Sequence, residues 1–466
     1  MLNWFSKIRE RTDPAVKKTQ KRPLLYSRSV PHLCNVSVWM LSVVLLFGLF
    51  LLHGSTAVYA LDAPQGIPGE ERLSDDDGDG LIRYQFHYKG ATVYAIVVLD
   101  PARVFVGTAL PEPTEWGGYG LTLDAMAEQY GAVAGINAGG FLDDGGGGNG
   151  WPPSGITFSR GISFSTIPYD AIAALDSEHH LWAGYYNYEE CVRFGFRDAV
   201  CFGPALVQDG IRADSGVFES GIGARTAIGQ REDGAIVLVA IDGRQGYSIG
   251  VTFDDLADIM AYKFRCINAA NMDGGNSTCM YFDGEAVNRS ANQAGGTRYL
   301  PDAWLVEPLP DNYVKPEGVP DSILLPDNAL GEKKEYSAEC DEDTASRLFE
   351  YACKFAEAYY NYFGSRYADY YYPYLLRHTS PGSDLQWRAE LALLDRMWVN
   401  TWQTTVSNIV LDGAYENGDG TYDVLITSDI FEQAEYWSYQ AAGTPLRITL
   451  TEAPDAYYGY LVLTTY

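Results

Sequence analysis

Short apolar segments separated by polar, glycine-containing turns dominate residues 81–306. Runs rich in β-branched and aliphatic residues predict strands, and these runs cover residues 91–99, 103–109, 132–137, 235–241 and 267–271. Helical periodicity instead marks residues 121–130 and 253–264, and Thr252 precedes the second of these segments as a typical N-cap residue. The alternation of the two patterns predicts a mixed α/β domain over residues 81–306.

A second unit is predicted at residues 336–466. Residues 342–363 have an amphipathic pattern with aromatic side chains on one face, which predicts a long helix. Strand-like runs follow at residues 404–411, 421–431, 446–451 and 459–465, and Asn417-Gly418 is a turn signal between the first two. A helix followed by an antiparallel sheet resembles the NTF2-like fold. The expected fold class is therefore α+β: a mixed α/β domain followed by a smaller helix-plus-antiparallel-sheet domain.

Segments rich in proline, glycine and acidic residues flank the first domain. Residues 61–80 and 307–335 have this composition and are predicted to be linkers. In the second unit, tyrosines cluster at Tyr370, Tyr371, Tyr372 and Tyr374. They suit either a sugar-binding surface or the core and domain interface, and the second interpretation is favoured.

The N-terminal part of the chain combines a basic segment with an apolar one. Residues 1–32 contain eight Lys or Arg and only two acidic residues, and residues 36–52 contain no charged side chain. A basic tail before an apolar segment is typical of an export signal. Residues 33–60 are therefore predicted to be a signal anchor or a signal peptide cleaved near Ala60. A buried core helix is a third interpretation, but it leaves the basic flank unexplained. The remaining chain is expected outside the cytoplasm, attached to the cell membrane or secreted.

Composition narrows the function classes further. A formal net charge of −28 repels nucleic acid, so a nucleic-acid partner is not expected. Six cysteines fall as three near-neighbour pairs, which leaves local disulfides and free buried thiols as open alternatives. These pairs are Cys191 with Cys201, Cys266 with Cys279, and Cys340 with Cys353. No C-x-x-C spacing is present, which argues against a redox or zinc role for cysteine.

Two further patterns bear on metal binding. Residues 75–80 read D-D-D-G-D-G and resemble the start of a calcium loop, but Phe86 stands where such a loop needs its bidentate carboxylate. An acidic turn is the favoured interpretation. His179 and His180 are adjacent, and adjacent strand residues point to opposite faces, so they are not expected to share a metal ion. Binding of a Ca²⁺ or Mg²⁺ ion by Asp273 or Asp242 is an alternative that the sequence leaves open.

Glycine-rich motifs follow two of the predicted strands. Residues 135–141 read G-I-N-A-G-G-F and lead through Gly145 to Gly150 into residues 151–155, and residues 271–278 read N-M-D-G-G-N-S-T. Asn137 and Asp273 end these strands, so they would be presented at a sheet edge, where ligands commonly bind. Glycine lets a ligand approach the backbone closely.

Three more fragments complete the pattern: R-T-A-I-G at residues 225–229, D-G-R at residues 242–244, and Arg298. In this order the motifs resemble the phosphodiester glycosidase family, which includes the lysosomal uncovering enzyme, a phosphodiester α-N-acetylglucosaminidase, and bacterial surface homologues. The resemblance covers about half the chain. Ala138 adds a residue to the first glycine motif, Leu142 stands where a second aromatic residue is usual, and Asn276 replaces a common glycine.

The residue types in these motifs suit cleavage of a sugar-1-phosphate diester. Phosphate is a good leaving group, so a protein needs mainly to hold an anion, stabilise oxocarbenium-like charge and position water, and arginines with carboxylates supply these functions. Asp273, Asp242 and Asn137 are the predicted catalytic residues, and the separation of the two carboxyl groups would decide between retaining and inverting chemistry. The predicted substrate-binding residues are Arg225, Arg244, Arg298, Gly139, Gly140, Gly155, Gly274, Gly275, Ser277 and Thr226.

Structural alternatives exist for several of these residues. Asp242-Gly243 is also a common turn, Asp273 is also suited to an Asx turn, and Arg225 would also serve in a surface ion pair. The resemblance implies a hydrolase that acts on a GlcNAc-1-phosphate-like group in a surface polysaccharide or capped glycan. A non-catalytic factor that binds or assembles exopolysaccharide is the alternative.

Overall fold

The computed structural model describes residues 70–113, 118–142, 148–213, 221–291, 298–315, 318–326, 330, 336–393, 399, 401–435, 438–456 and 459–466. They all belong to one compact unit, Pro64–Tyr466. The predicted basic tail at 1–32 and the predicted export segment at 33–60 lie outside the described residues. Within the described ranges, no helix is both long enough and apolar enough to cross a membrane.

Strands and helices are numbered along the chain. The strands are β1 Glu70–Ser74, β2 Leu81–Tyr88, β3 Ala91–Val98, β4 Val104–Thr108, β5 Ala134–Asn137, β6 Thr157–Ser159, β7 Ile162–Ser165, β8 Ile172–Leu175, β9 Leu181–Gly184, β10 Asp198–Cys201, β11 Ala205–Gln208, β12 Ile211–Arg212, β13 Arg225–Arg231, β14 Ile236–Ile241, β15 Cys266–Met272, β16 Met280–Phe282, β17 Glu285–Ala286, β18 Asp302–Val306, β19 Ser322–Pro326, β20 Ala338–Glu339, β21 Gln403–Glu416, β22 Thr421–Gln433, β23 Ser438–Glu452 and β24 Tyr460–Thr465. The α-helices are α1 Leu123–Tyr130, α2 Tyr188–Phe194, α3 Phe253–Asp258, α4 Glu342–Phe363, α5 Ala368–Leu376 and α6 Asp384–Ala392.

Three antiparallel sheets form the first region. The largest has seven strands in the order β12-β11-β15-β13-β14-β3-β2. Two five-stranded sheets accompany it, with the orders β17-β16-β5-β18-β4 and β7-β6-β10-β8-β9. Strands β2, β3 and β4 come early in the chain, yet β3 pairs with β14 as well as with β2, and β4 pairs with β18, so residues from 81 onward belong to these sheets.

Strand β14 shows why the sheet forms here. Val237, Val239 and Ile241 lie in one hydrophobic cluster, while the alternate residues Ile236 and Leu238 lie in another. Because successive strand side chains point to opposite faces, this apolar strand is buried on both sides. Each such side chain contributes roughly 1.5 to 3 kcal/mol of hydrophobic free energy. The continuous apolar run in the sequence therefore reflects a strand in the middle of the structure.

The helix that follows β14 begins as predicted. Thr252 accepts a hydrogen bond from the Asp255 backbone N–H, and the Asp255 carboxylate accepts one from the Thr252 backbone N–H, which forms a capping box. The predicted helix over residues 253–264 is α-helical only as far as Asp258 and continues as a π-turn at Ile259–Lys263.

The second region contains one helix layer on one sheet. Helix α4 has the predicted bounds and packs on a five-stranded antiparallel sheet in the order β20-β21-β22-β23-β24. The expected α+β class is confirmed by these elements together with the sheets of the first region. The hydrophobic cluster under α4 also includes Ile222, Tyr247 and Ile249 from the first region. The two regions therefore share a core.

Both predicted linkers contain regular structure. Strand β1 pairs with β19 in antiparallel register, so residues 70–74 and 322–326 form a two-stranded sheet. Ile323 and Leu325 are buried in the core of the first region, and Leu73 packs against it. These apolar side chains lie on one face of the pair, which packs against the core of the first region.

The tyrosine cluster is divided between packing and solvent. Tyr371 and Tyr372 pack against the core of the second region, whereas Tyr370 is 65% exposed and Tyr374 is 44% exposed.

The six described cysteines are free thiols rather than disulfides. Cys191, Cys201, Cys266 and Cys279 are buried, so the open alternative of buried thiols is the one present. Burial raises the pKa of the Cys266 thiol to about 12, which keeps the group protonated and unreactive at neutral pH.

Candidate active site

Polar residues at the ends of three central strands lie together at one end of the seven-stranded sheet. In the strand register, Arg225 is opposite Ile241 and Thr226 is opposite Met272. Arg225 begins β13, while Asp242 and Asp273 follow the last residues of β14 and β15. Because the strands are antiparallel, the start of one and the ends of its neighbours meet. The three motifs that contain Arg225, Asp242 and Asp273 are therefore brought together.

The first glycine motif joins this edge from a different sheet. Asn137 ends β5, and the backbone N–H of Asp273 donates to the carbonyl oxygen of Ala138 over 2.9 Å. The Asn137 Nδ2 atom donates in return to the carbonyl oxygen of Asp273 over 2.6 Å. Two reciprocal hydrogen bonds thus connect the two glycine motifs across the boundary between the sheets.

Asn137 is fully buried, and its side-chain amide contacts protein groups on all sides. Its Oδ1 atom accepts hydrogen bonds from Thr226 Oγ1 at 2.9 Å and from the Cys279 backbone N–H at 3.0 Å. The amide therefore fixes the backbone of Asp273. Thr226, also fully buried, supports Asn137 from the seven-stranded sheet. Thr226 and Asn137 thus form a chain of hydrogen bonds that ends on the backbone of Asp273.

A further acid, Asp302, belongs to this site although the motif analysis did not identify it. Strand β18 pairs with β5 so that Ala303 is opposite Asn137, which places Asp302 beside the first glycine motif. Asp302 Oδ1 accepts a hydrogen bond from the Gly139 backbone N–H over 2.5 Å. In the part of the chain that the structure describes, Asp302 Oδ2 has no hydrogen-bond partner.

The surroundings of Asp302 favour its protonated form. The residue is fully buried, and this burial raises the pKa of its carboxyl group to about 7. The hydrogen bond from Gly139 opposes that rise, and the nearby negative charge of Asp273 adds to it. A proton is therefore held next to Asp273 up to neutral pH. The sequence signal for Asp302 is weak: one acidic residue at the start of an apolar strand, close after Arg298.

The glycines of the first motif allow this close packing. A Cβ atom on Gly139 would lie 2.9 Å from Asp302 Oδ1 and 2.8 Å from Val200 Cγ1. A Cβ atom on Gly140 would lie 3.0 Å from Ser154 Oγ. Gly139 therefore has no space for a side chain unless the buried acid moves.

Asp242 lies at the same sheet edge but in a closed environment. Its carboxylate accepts hydrogen bonds from Tyr247 Oη and from Asn288 Nδ2, each over 2.9 Å. The residue is fully buried, and burial raises its pKa to about 6 against the opposing effect of these two bonds. Asp242 therefore joins its loop to Asn288 and so to the backbone near Thr278, which accepts from Asn288 Nδ2 over 3.4 Å.

The three predicted arginines are all half-buried near the glycine motifs. Arg225 donates to the Gly221 carbonyl over 2.6 Å and its guanidinium lies 4.1 Å from the Phe253 ring centroid. The Arg298 guanidinium lies 4.6 Å from the ring centroid of Phe141, which follows the first glycine motif.

Arg244 contacts the second glycine motif directly. Its backbone φ is 61°, and its Nη1 atom lies 2.8 Å from the position that a Cβ on Gly275 would take. Gly275 itself has a φ of 59° and donates its backbone N–H to the Ala224 carbonyl over 2.9 Å. Glycine at this position therefore admits both the left-handed backbone and the guanidinium group.

The remaining predicted residues line the same motifs. Gly274 packs on the Ala224 carbonyl, and Gly155 packs on the side chain of Cys201. Ser277 is buried, and its Oγ atom has no hydrogen-bond partner within the described ranges, as is also true of Thr278 Oγ1. Gly145, which belongs to the glycine run after the first motif, lies outside the described residues.

Metal-ligand geometry occurs elsewhere. Among the described residues, the one group of His, Cys, Asp or Glu side chains that could hold an ion is Asp75, Asp77 and Asp79, whose ligand atoms lie within 4.8 Å of one another. Asp75 already accepts backbone N–H bonds from Gly78 and Gly80, which is the pattern of an acidic turn. This group does not include the predicted catalytic residues.

Comparisons with known proteins identify the family of this region. Residues 130–307 match the family model for phosphodiester glycosidases. The SPbeta prophage-derived uncharacterized protein YomE of Bacillus subtilis (strain 168) is 28% identical over 219 residues, which cover 41% of this chain and 29% of YomE. The matched segment is thus less than a third of that relative.

Two solved structures are also similar. The catalytic domain of zebrafish N-acetylglucosamine-1-phosphodiester alpha-N-acetylglucosaminidase, auto-inhibited by its pro-peptide, has a TM-score of 0.41 at 18% identity, with 52% of this chain and 85% of that chain covered. A hypothetical protein from Synechocystis has a TM-score of 0.40 at 16% identity, with 52% of this chain and 64% of that chain covered.

The matched range contains the converging residues from Asn137 to Asp302. The ordered motifs that resemble the family are the same segments that meet at the two sheet edges. The part of the chain that matches the phosphodiester glycosidase family model, residues 130–307, is therefore the part that contains this site.

Proposed function

We propose that this protein is a hydrolase that cleaves the glycosidic bond of a sugar-1-phosphate diester. The family of residues 130–307 supports a glycosidase-type function. The observation that carries the finer proposal is the meeting of two acids, Asp273 and Asp302, with Arg244 and Arg225 around two joined glycine motifs. We propose a GlcNAc-1-phosphate-like substrate in a surface polysaccharide or capped glycan.

The two acids have different environments and therefore different proposed roles. Asp302 is buried and holds a proton up to a pH of about 7. Asp273 is only half-buried and lies next to it. Two neighbouring carboxyl groups do not both ionise readily, so protonation of one keeps the other anionic. Asp273 is the catalytic carboxylate in this proposal, and Asp302 is a positioning residue that controls its charge.

The reaction needs a nucleophile at the anomeric carbon and a stabilised phosphate. The oxygen of water bonds to C1 of the sugar, directly or after attack by Asp273, and the bond between C1 and the phosphate oxygen breaks. The electron pair leaves with the phosphate, whose later pKa near 6 makes it a good leaving group. Arg225 and Arg244 supply positive charge for that phosphate. The proton from water passes to a carboxylate or to the released phosphate.

The proposed substrate also requires a location. We propose that the domain acts outside the cytoplasm, because the basic and apolar composition of residues 1–60 is typical of an export signal. On this proposal the N-terminal segment associates the protein with the membrane, or is cleaved before secretion.

Release of sugar tests the proposed function. The full chain is incubated with UDP-GlcNAc and with a phosphodiester-linked GlcNAc analogue, and free sugar is measured. We expect release by the parent and loss of release in Asp273→Ala. Equal release by both proteins would refute the role of Asp273. Binding of the analogue without release by the parent would instead favour the non-catalytic exopolysaccharide factor.

A further inference from the structure

The loop of residues 242–248 connects the candidate active site to the second region. It begins at Asp242 and includes Arg244, whose guanidinium lies against Gly275. Its tip contains Gly246 and Tyr247. Tyr247 is buried in the hydrophobic cluster of the second region, with its ring centroid 5.4 Å from that of Tyr439. The loop therefore has its base at the active site and its tip in the C-terminal core.

Glu432 of β22 holds the tip of this loop. It is fully buried, and its Oε1 atom accepts a short hydrogen bond from the Gly246 backbone N–H. Its Oε2 atom accepts from Arg289 Nη1 over 2.8 Å. Arg289 in turn donates to Gln245 Oε1 over 3.0 Å, and Gln245 Nε2 donates back to the Arg289 carbonyl over 2.8 Å. A single buried carboxylate thus satisfies the loop backbone and the arginine that braces it.

Two glycines let the regions approach this closely. A Cβ atom on Gly246 would lie 2.7 Å from Thr404 Cγ2 and 3.1 Å from Glu432 Oε1. A Cβ atom on Gly364, directly after helix α4, would lie 2.6 Å from Gly246 Cα. The Arg289 guanidinium also lies 3.9 Å from the Tyr439 ring centroid. The loop tip therefore packs closely into a site formed by β21, β22, β23 and the end of α4.

We propose that Glu432 is a positioning residue of the glycosidase site, which fixes the loop of residues 242–248 and through it the phosphate-binding Arg244. The assignment of phosphate to Arg244 rests on the proposed function above. The placement of the loop by Glu432 does not depend on the proposed function, because it follows from the hydrogen bonds of the folded chain. On this account the C-terminal region completes the substrate site, although it contributes no catalytic group.

A substitution that removes the acceptor tests this proposal. Glu432→Met keeps the side-chain length and removes both hydrogen bonds. We expect the Gly246 amide to exchange with solvent at least about tenfold faster. We also expect KM for the phosphodiester analogue to rise about tenfold, which corresponds to a loss of about 1.4 kcal/mol of binding free energy, while kcat changes less than about threefold. Amide exchange is measured without substrate, so it gives its answer even if the parent hydrolyses nothing.

The matched control is Asp429→Asn, on the same strand. Asp429 is half-buried and accepts from Asn408 and from the Gly443 backbone N–H, not from the loop of residues 242–248, so its change should leave the exchange rate of Gly246 and KM unchanged. If Glu432→Met does not fold, Glu432→Gln is used instead, and the same direction of change is expected because it loses the charge that pairs with Arg289. Unchanged exchange at Gly246 in a folded Glu432 variant would overturn the proposal, as would equal acceleration throughout the chain.

Discussion

Two acid centres lie at the same end of the seven-stranded sheet, and they differ in what surrounds their carboxyl groups. Asp242 is fully buried and accepts hydrogen bonds from Tyr247 and Asn288, so its oxygens serve the protein itself. Asp273 is half-buried, and its backbone accepts a hydrogen bond from Asn137 and donates one to Ala138. The carboxylate of Asp242 therefore holds a loop, whereas the backbone of Asp273 is itself held by the first glycine motif.

This difference distinguishes an acid that could react with substrate from an acid that holds a loop, although both belong to the same set of motifs. A group that reacts with substrate must be reachable and precisely supported, whereas a group with both oxygens satisfied by protein donors acts through what it holds. In the proposed function, Asp273 is the reacting carboxylate, because it is half-buried whereas Asp242 is fully buried. In the same proposal, Asp242 acts through its loop, whose tip donates a hydrogen bond to Glu432 of the second region.

The largest expected effect contrasts the two acids directly. Asp273→Asn should lower kcat roughly 10³-fold, since positioned acid–base or nucleophilic groups contribute about 10² to 10⁴. Asp242→Asn should lower it about tenfold or less, because it disturbs only the support of the loop. Steady-state kinetics on the phosphodiester analogue measure both. Asp283→Asn, an exposed turn residue with a φ of 44°, is the matched control. A greater loss in Asp242→Asn than in Asp273→Asn would reverse the comparison.

The next effect concerns the buried partner of Asp273. The folded-state pKa of Asp302 is raised to about 7, from an ordinary value near 3.9, so between these pH values the folded chain binds more protons than the unfolded chain. The free energy of unfolding should therefore fall as pH rises through this window. Asp302→Asn removes this loss, worth roughly 2 to 4 kcal/mol at pH 8.

Denaturant unfolding at pH 5 and pH 8 measures that change. The parent should lose stability between the two pH values, and Asp302→Asn should lose less, with part of the remaining loss due to Asp242, whose pKa is raised to about 6. The same pH dependence in both proteins would show that Asp302 titrates normally and does not hold a proton beside Asp273.

A smaller effect is expected at the contact between Arg244 and the second glycine motif. Gly275→Ala places a methyl group 2.8 Å from Arg244 Nη1 and strains a backbone with a φ of 59°. The guanidinium must move, and KM should rise about tenfold with the loss of about 1.4 kcal/mol of phosphate binding. Gly284→Ala is the control, because its φ is 91° but no atom lies within 4 Å of the new methyl group. Equal KM values in the two variants would remove Arg244 from the site.

The smallest effect concerns the support of Asn137. Thr226→Val keeps the shape of the side chain but removes the 2.9 Å hydrogen bond to Asn137 Oδ1. The free energy of unfolding should fall by about 1 kcal/mol, measured by denaturant titration. Thr405→Val, at an exposed strand position, should change it by less than about 0.5 kcal/mol. A neutral Thr226→Val would mean that Asn137 does not need this bond.

Elements that depend only on residues close together in the chain are predicted well from the sequence. The continuous apolar run of β14 and the amphipathic helix α4 are visible without any knowledge of packing, and both appear in the structure. The Thr252 capping box is also local, since its partners lie three residues apart. These features depend on neighbours in the chain, so periodicity and caps suffice to predict them.

The missed features depend on pairing between distant segments. Asp302 joins the site because β18 pairs with β5, and nothing in the residues near 302 specifies that register. The Asp242 carboxylate is hydrogen-bonded by Asn288, and the loop that follows it is hydrogen-bonded by Glu432, which lies in the second region. Both partners are distant in the chain. The short helices α5 and α6 were not predicted either; Pro373 lies inside the first of them.

Hydrolysis in water enriched in ¹⁸O tests the central claim most directly. If the full chain is a glycosidase that opens the bond between C1 and the phosphate oxygen, the heavy oxygen should appear in the released sugar and not in the phosphate product, as read by mass spectrometry. Heavy oxygen in the phosphate product would mean attack at phosphorus, and the proposed role of Asp273 at the anomeric carbon would be contradicted.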